Sequence, residues 1–272
     1  MKALPATLHT RALLVVCSLL GIAAFTWPLF VPARDGTMAH AADAPVVFLL
    51  LVPMLLAVLV SEMTSGAMDG KVVAVLGALA ALDALMRLPG GIGGFSPVFF
   101  LLFCAGRAYG STFAFLLGTV SMFVSGVVTG GVGPWLPFQM FAAGWLAAGA
   151  GLLPPTREAG RAETLLLAGY GVVGAFAYGF ITSLWFWPFI GHGTVFDYHP
   201  GAGPLANLGR YFAFYATTSV MWDVMGAVGN ALLAITLARP VLKVLRRAGR
   251  HFRFQALPEF LPVAESPSRE AA

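Results

Sequence analysis

Residues 111–128 read STFAFLLGTVSMFVSGVV, a run with no charged side chain. An α-helix rises about 1.5 Å per residue, so a run of this length crosses most of the roughly 30 Å hydrocarbon core of a bilayer. Seven further apolar runs flank it, at 12–31, 45–60, 72–86, 96–105, 136–153, 165–190 and 211–238. They are continuous, without the short alternating segments of a transmembrane barrel. In lipid each backbone N–H and C=O must be satisfied within the structure, and a helix does this inside one segment. The chain is therefore expected to be an all-α polytopic membrane protein.

Composition agrees. Of 272 residues, 58% are hydrophobic and 10% charged, too few charges to coat a soluble globule, where about 25% is usual. The two cysteines, Cys17 and Cys104, each lie inside an apolar run and read as buried thiols, not a disulfide or metal pair. The run 96–105 is short for a span. It reads as a tilted or half-length helix joined to the next by a tight turn at 107–110.

Lys and Arg set the orientation. With the N-terminus inside and eight crossings, the inner stretches hold 13 basic residues and the outer ones three: Arg34, Arg87 and Arg210. Both termini are then cytoplasmic. A rival reading is a cleaved leader, with Ala39-His40-Ala41 as a small-x-small site. Against it, the apolar core is about 20 residues long and the site lies well past its end. After Arg239 the tail is basic, with Arg246, Arg247, Arg250 and Arg253, as expected of a flank on an anionic leaflet. The Pro/Glu/Ser-rich end reads as disordered, and no nucleic acid partner is expected. The domain reading is two N-terminal helices in 1–70, a six-helix core in 71–245 and a cytoplasmic tail in 246–272.

No engine is visible. The nearest approach to a phosphate-binding loop, 66–72, lacks one spacer residue and a Ser or Thr after Lys71. There is no HExxH pair and no GxSxG nucleophile. Within the apolar runs only Asp83 and Asp223 are acidic, whereas a proton-coupled carrier strings several ionisable groups through the membrane. No inverted repeat is evident. No catalytic residue, metal ligand or cofactor is assigned.

The outer side, by contrast, gathers glycine, aromatics and histidine. Its loops are RLPGGIGGF at 87–95, the glycine-rich 129–135, and 191–210 with His192, Asp197, Tyr198 and His199. Trp135, Trp185, Trp187 and Tyr211 sit at that boundary. They suit either a headgroup belt or a ligand mouth in which glycine lets backbone approach and rings stack. GGVGPWLPFQM, at 130–140, is expected to be an outer loop dipping toward the cavity, with Trp135 offering a stacking face and Gln139 an amide. A mid-membrane carboxylate costs about 2.5–3.5 kcal/mol, so Asp223 should face protein or water. It shares a helical face with Ser219, Gly226 and Asn230. Small residues form stripes at Ala143/Ala147/Gly151, at Gly171/Ala175/Gly179 and at Ala74/Ala78, each a surface for close helix contact.

Taken in order, PGGIGGFSPVFF, the turn GRAYG, GGVGPWLPFQM, GFITSLWFWPF and TTSVMWDVMGAVGN resemble the substrate-binding S component of an energy-coupling factor (ECF) type vitamin transporter over about residues 71–245. The first two helices are an addition to that six-helix plan. The resemblance implies a non-enzymatic subunit of a bacterial cytoplasmic membrane. Such a subunit captures a vitamin outside and delivers it together with a membrane T component and two ATPases. The residues read for the ligand mouth are Arg87, Phe95, Trp135, Gln139, Trp185, Trp187, His192, His199, Tyr211 and Asp223, and the resemblance implies docking on the T component through Ala74 and Ala78. This variety resembles S components assigned to cobalamin or related corrinoids. Gln139 and Asn207 would suit the amides of such a ligand, and His192 or His199 could approach cobalt. Riboflavin and thiamine stay open, as do a stand-alone secondary carrier and an integral membrane enzyme acting on a lipid.

Overall fold

The computed structural model describes residues 7–30, 40, 42–88, 95–157, 160–189 and 194–252. Among the described residues the chain is helical, with no strand. Nine α-helices follow one another in the described residues: α1 Leu8–Thr26, α2 Ala44–Thr64, α3 Gly70–Met86, α4 Val98–Tyr109, α5 Ser111–Val128, α6 Leu136–Gly151, α7 Arg161–Phe186, α8 Pro204–Thr218 and α9 Val220–Phe252. Five of them (α1, α2, α5, α7 and α9) are long and apolar enough to cross a membrane, which makes this a multi-pass helical membrane protein. Its surface is correspondingly oily, with Val15, Leu49, Val173 and Leu232 each more than half exposed.

Helix starts follow from local chemistry. The Asp69 carboxylate accepts from the N–H groups of Lys71 and Val72 at 3.0 and 2.9 Å and opens α3. The α4–α5 turn is a single residue, Gly110, at φ 97°, a conformation that a side chain would disfavour. After α5, Gly131 N–H returns to Gly126 C=O at 2.8 Å and Gly130 adopts φ 67°, which ends the helix through a left-handed cap.

The helices α4, α5 and α6 form the buried centre, with Leu102, Leu117, Phe138 and Phe141 nearly inaccessible. Close approach is made by small residues. A methyl group at Gly118 would lie 2.7 Å from the Ala143 carbonyl, and one at Gly106 2.3 Å from that of Ala147. The α6 and α7 small-residue stripes are thus internal, the latter packing on α9 where Gly171 meets Asn230. Ala74 and Ala78 of α3 are exposed, with Gly77 beside them. The α1–α2 pair docks on α6 through Phe25 against Phe138 and through the Trp145 indole, which donates to Ser18 Oγ at 3.1 Å.

Three expectations change. The run 211–238 is not one helix: the chain breaks at Ser219, whose carbonyl accepts from the N–H groups of both Trp222 and Asp223. Asp223 therefore sits in the first turn of α9, at the end of a span and not at its middle. Helix also extends past the apolar run read to 238: the basic segment after Arg239, read as a flank, continues α9 to Phe252, with Pro240 inside it; 253–272 lie outside the described residues. Finally, GGVGPWLPFQM is half helix. Its 136–140 portion is the first turn of α6, with Pro137 placed where a missing N–H costs nothing.

At the end of the bundle opposite Ser219 and Trp135, Glu163 of α7 is buried between two arginines. Arg107 Nε reaches its Oε1 at 2.9 Å, and Arg246 donates to both oxygens at 2.6 and 2.8 Å. Arg107 also donates to Leu153 C=O and Thr156 Oγ1. The network ties α4, α7, α9 and the segment after α6 together.

Candidate functional site

At the other end, α3, α4, α5, α6, α7 and the α8–α9 break surround a cavity of about 570 Å³. Arg87, just after α3, lines it. Its guanidinium donates to Ser125 Oγ at 2.9 Å and to Gln139 Oε1 at 3.1 Å, with Met122 sulfur 3.6 Å away. Phe99, Tyr178, Phe186, Phe214 and Trp222 supply ring faces, and Thr182, Ser183, Thr218 and Ser219 supply hydroxyls. Ser183 and Ser219 Oγ atoms, 3.0 Å apart, tie α7 to the helix break.

Asp223 lines the same cavity. Its carboxylate lies over Gly179 of α7, where a methyl group would come within 2.0 Å of both oxygens. Tyr215 of α8 donates to Oδ2 at 2.5 Å. Burial raises the Tyr215 phenol first, and the hydrogen bond and charge of Asp223 raise it further, so the hydroxyl keeps its proton and remains a donor.

A side chamber of about 330 Å³ shares Gln139, Thr182 and Phe186 with the main cavity and adds Trp135, Phe138 and Trp185. Trp135 and Trp185 meet edge to face at 6.3 Å, and the Trp135 indole is fixed by a 2.9 Å bond to Gly131 C=O.

The structure thus gathers Arg87, Trp135, Gln139, Trp185 and Asp223 around connected space. It does not bring in the rest. Phe95 packs on Gly229 of α9. Trp187 is buried in a separate cluster with Leu29, Tyr198 and Tyr211, its indole donating to Phe196 C=O. Tyr211 donates to Phe180 C=O. His199 has an exposed side chain, while its backbone N–H and C=O are both held by the Asn207 amide at 3.0 Å, which commits Asn207 to the loop. His192 lies outside the described residues.

Two groups escape a reading of the sequence. Tyr215 precedes Asp223 by eight positions, about 12 Å along an unbroken helix, and only the break at Ser219 folds it back. His40 is 2% exposed and takes a left-handed backbone, φ 54°. Its ring lies among Phe138, Trp185 and Phe189, and its Nδ1 is 2.7 Å from Asp43 Oδ2. The first two helices therefore reach the wall behind the side chamber. The Trp27 indole also bonds Asp43 at 2.8 Å. Burial pushes the Asp43 carboxyl up, but the hydrogen bond and charge of His40 and the Trp27 bond outweigh it and hold the carboxyl below its ordinary value.

No cluster of His, Cys, Asp or Glu that could hold a metal occurs among the described residues. Compared with known protein families, with curated proteins and with solved structures, the chain has no match.

Proposed function

We propose that this protein is the substrate-binding subunit of an ECF-type importer, capturing a vitamin from outside the cell. The observation that carries the reading is the cavity: all its lining side chains come from one end of the bundle, while the Glu163 network packs the other. Such a pocket holds a solute without offering a path through. Helices α3–α7 and α9 correspond to a six-helix core, α8 packs beside α7 through Tyr211 and Tyr215, and α1–α2 form the N-terminal addition. Both termini are cytoplasmic, in a bacterial inner membrane. The basic stretch along the end of α9, with Lys243, Arg247 and Arg250 exposed, lies at the inner leaflet.

Energy for import then comes from a T component and two ATPases. The exposed Ala74/Ala78 face of α3 is the docking surface, since the other two small-residue stripes are used internally. The cavity volume is that of a drug-sized ligand. A thiamine- or flavin-sized ring fits within it, whereas a corrinoid would rest its macrocycle across the mouth.

The test is direct. Purified protein is titrated with a panel of water-soluble vitamins, uncharged, singly charged and zwitterionic, thiamine, riboflavin and cobalamin among them, and the same protein is reconstituted alone into liposomes. Binding without accumulation is expected. Unaided accumulation refutes the reading and favours a secondary carrier. Asp83 is the observation on that side, because it is fully buried in α3 and neither carboxylate oxygen has a hydrogen-bond partner among the described residues. Accumulation driven by a proton gradient and lost in Asp83→Asn would identify that mechanism.

A further inference from the structure

The cavity holds two formal charges of opposite sign, and they do not neutralise each other. The ion pairs among the described residues join His40 to Asp43 and Glu163 to Arg107 and Arg246; neither Arg87 nor Asp223 takes part in one. The hydrogen-bond acceptors of Arg87 are a hydroxyl, an amide oxygen and a thioether, all neutral, and the buried Asp83 carboxyl one turn earlier on α3 lies within its electrostatic reach without forming an ion pair with it. Asp223 has one neutral donor, Tyr215, on Oδ2, and Oδ1 accepts no hydrogen bond among the described residues. Both side chains line the same space, Arg87 from the cap of α3 and Asp223 from α9.

Water can solvate both groups while the cavity is empty. A ligand that fills it displaces that water, and each charge then needs a partner from the ligand. An apolar occupant strands both groups. A purely anionic one pairs with Arg87 and strands Asp223; a purely cationic one does the reverse. Only a molecule carrying both signs leaves neither stranded. The guanidinium offers the forked donors that suit carboxylate or phosphate. The free Asp223 oxygen accepts from an ammonium or amidinium group. Between them, Phe99, Tyr178, Phe186 and Trp222 present ring faces.

From this arrangement, and resting on the reading of the cavity as a capture site, we infer that the ligand is a drug-sized, ring-containing zwitterion. Its anionic group lies on Arg87 and its protonated nitrogen on Asp223. The discrimination comes from the penalty on any ligand that leaves one charge unpaired.

The probe is the small-molecule fraction of yeast extract. Full-length protein in lipid nanodiscs is incubated with it and washed, and the retained compounds are released by denaturation and identified by mass spectrometry. The expected compound carries a ring, an acidic group and a basic nitrogen. Arg87→Met and Asp223→Asn should each lower its retention by about 30-fold or more, the loss typical of an unpaired charge in a desolvated contact. Arg87→Lys and Asp223→Glu keep the charges and should retain more ligand than the neutral variants. They carry the comparison if Arg87→Met does not purify as a monodisperse protein. A retained compound that is neutral or singly charged overturns the inference and leaves solute capture standing, as does retention unchanged by both neutral variants. Retention of nothing by the unaltered protein overturns the inference and the capture function together.

Discussion

Replacing Glu163 with alanine removes the centre of an Arg–Glu–Arg arrangement. Three charge-assisted contacts of 2.6–2.9 Å meet on a carboxylate that is 1% exposed, between arginine side chains that are 10% and 11% exposed. Glu163→Ala removes the carboxylate that these two nearly buried guanidinium groups share. Breaking a buried pair costs about 3–5 kcal/mol. Arg107→Ala is milder, because Glu163 keeps its two-pronged bond from Arg246; loss of hydrogen bonds to a charged group costs about 1.5–3 kcal/mol. At roughly 2–4 °C per kcal/mol, tryptophan-fluorescence melts in detergent should fall by about 10 °C for Glu163→Ala and by about half that for Arg107→Ala. The triple variant Arg107→Met/Glu163→Leu/Arg246→Met removes all three charges and should recover most of the loss, because a matched apolar cluster avoids the desolvation cost. If Glu163→Ala is no worse than Arg107→Ala, or the triple variant is as unstable as Glu163→Ala, the reasoning is refuted.

Ala74→Leu with Ala78→Leu adds bulk to an exposed face and should leave melting and ligand binding unchanged while blocking co-purification of the T component; an intact complex removes α3 as the docking surface. Gly118→Val drives a side chain into the Ala143 carbonyl and should cost about 1–3 kcal/mol or more in chemical denaturation, so a neutral effect would contradict the α5–α6 packing. Cys17 and Cys104 are free and nearly inaccessible, so a water-soluble maleimide should label neither until the protein is unfolded; rapid labelling of the native protein would show the helices packed otherwise. The Asp43 carboxyl titrates below its ordinary value of about 3.9, so its stabilising effect is full above that pH and is lost as pH falls through the lower folded value. Asp43→Asn should be less stable than the parent at neutral pH and should show a shallower acid limb in melting temperature against pH. Identical profiles would sever Asp43 from the docking of the first two helices.

How much of this was legible depended on whether a feature is local. The uninterrupted apolar run at 111–128 forms α5 as read, because composition alone decides a lipid-facing or lipid-buried helix. The break at Ser219 was hidden. Thr217, Thr218 and Ser219 carry no glycine or proline signal, and the bend is held by the Ser183–Ser219 contact with another helix. Pro240 misleads in the opposite sense: it normally marks a helix end, yet α9 runs through it on an exposed face. Arg107 and Arg246 were read as orientation charges, and nothing in their spacing announces that they share Glu163. Arg87, Trp135, Gln139 and Trp185 stood out as polar or aromatic groups at one set of helix ends, which suffices to bring them near each other, whereas Asp223 stood out as a mid-membrane carboxylate and joins them only through the break at Ser219. Trp187 and Tyr211 met the same criterion and went to a structural cluster, since a ring at a helix end packs on neighbours as readily as on a solute.

The long helices α7 and α9 are riveted at one tip by the Glu163–Arg246 bond, and near the opposite tip Gly179 allows Asp223 to lie flat against its neighbour. Fastened twice, the two form a single stiff beam, so the seam between them is closed to traffic. The short α8, which buries only Asn207, Tyr211 and Tyr215, is the wall with the weakest footing. Any outward swing of α8 about Ser219 would unseat Tyr215 from the Asp223 carboxylate, so opening that wall and baring that charge would be one motion.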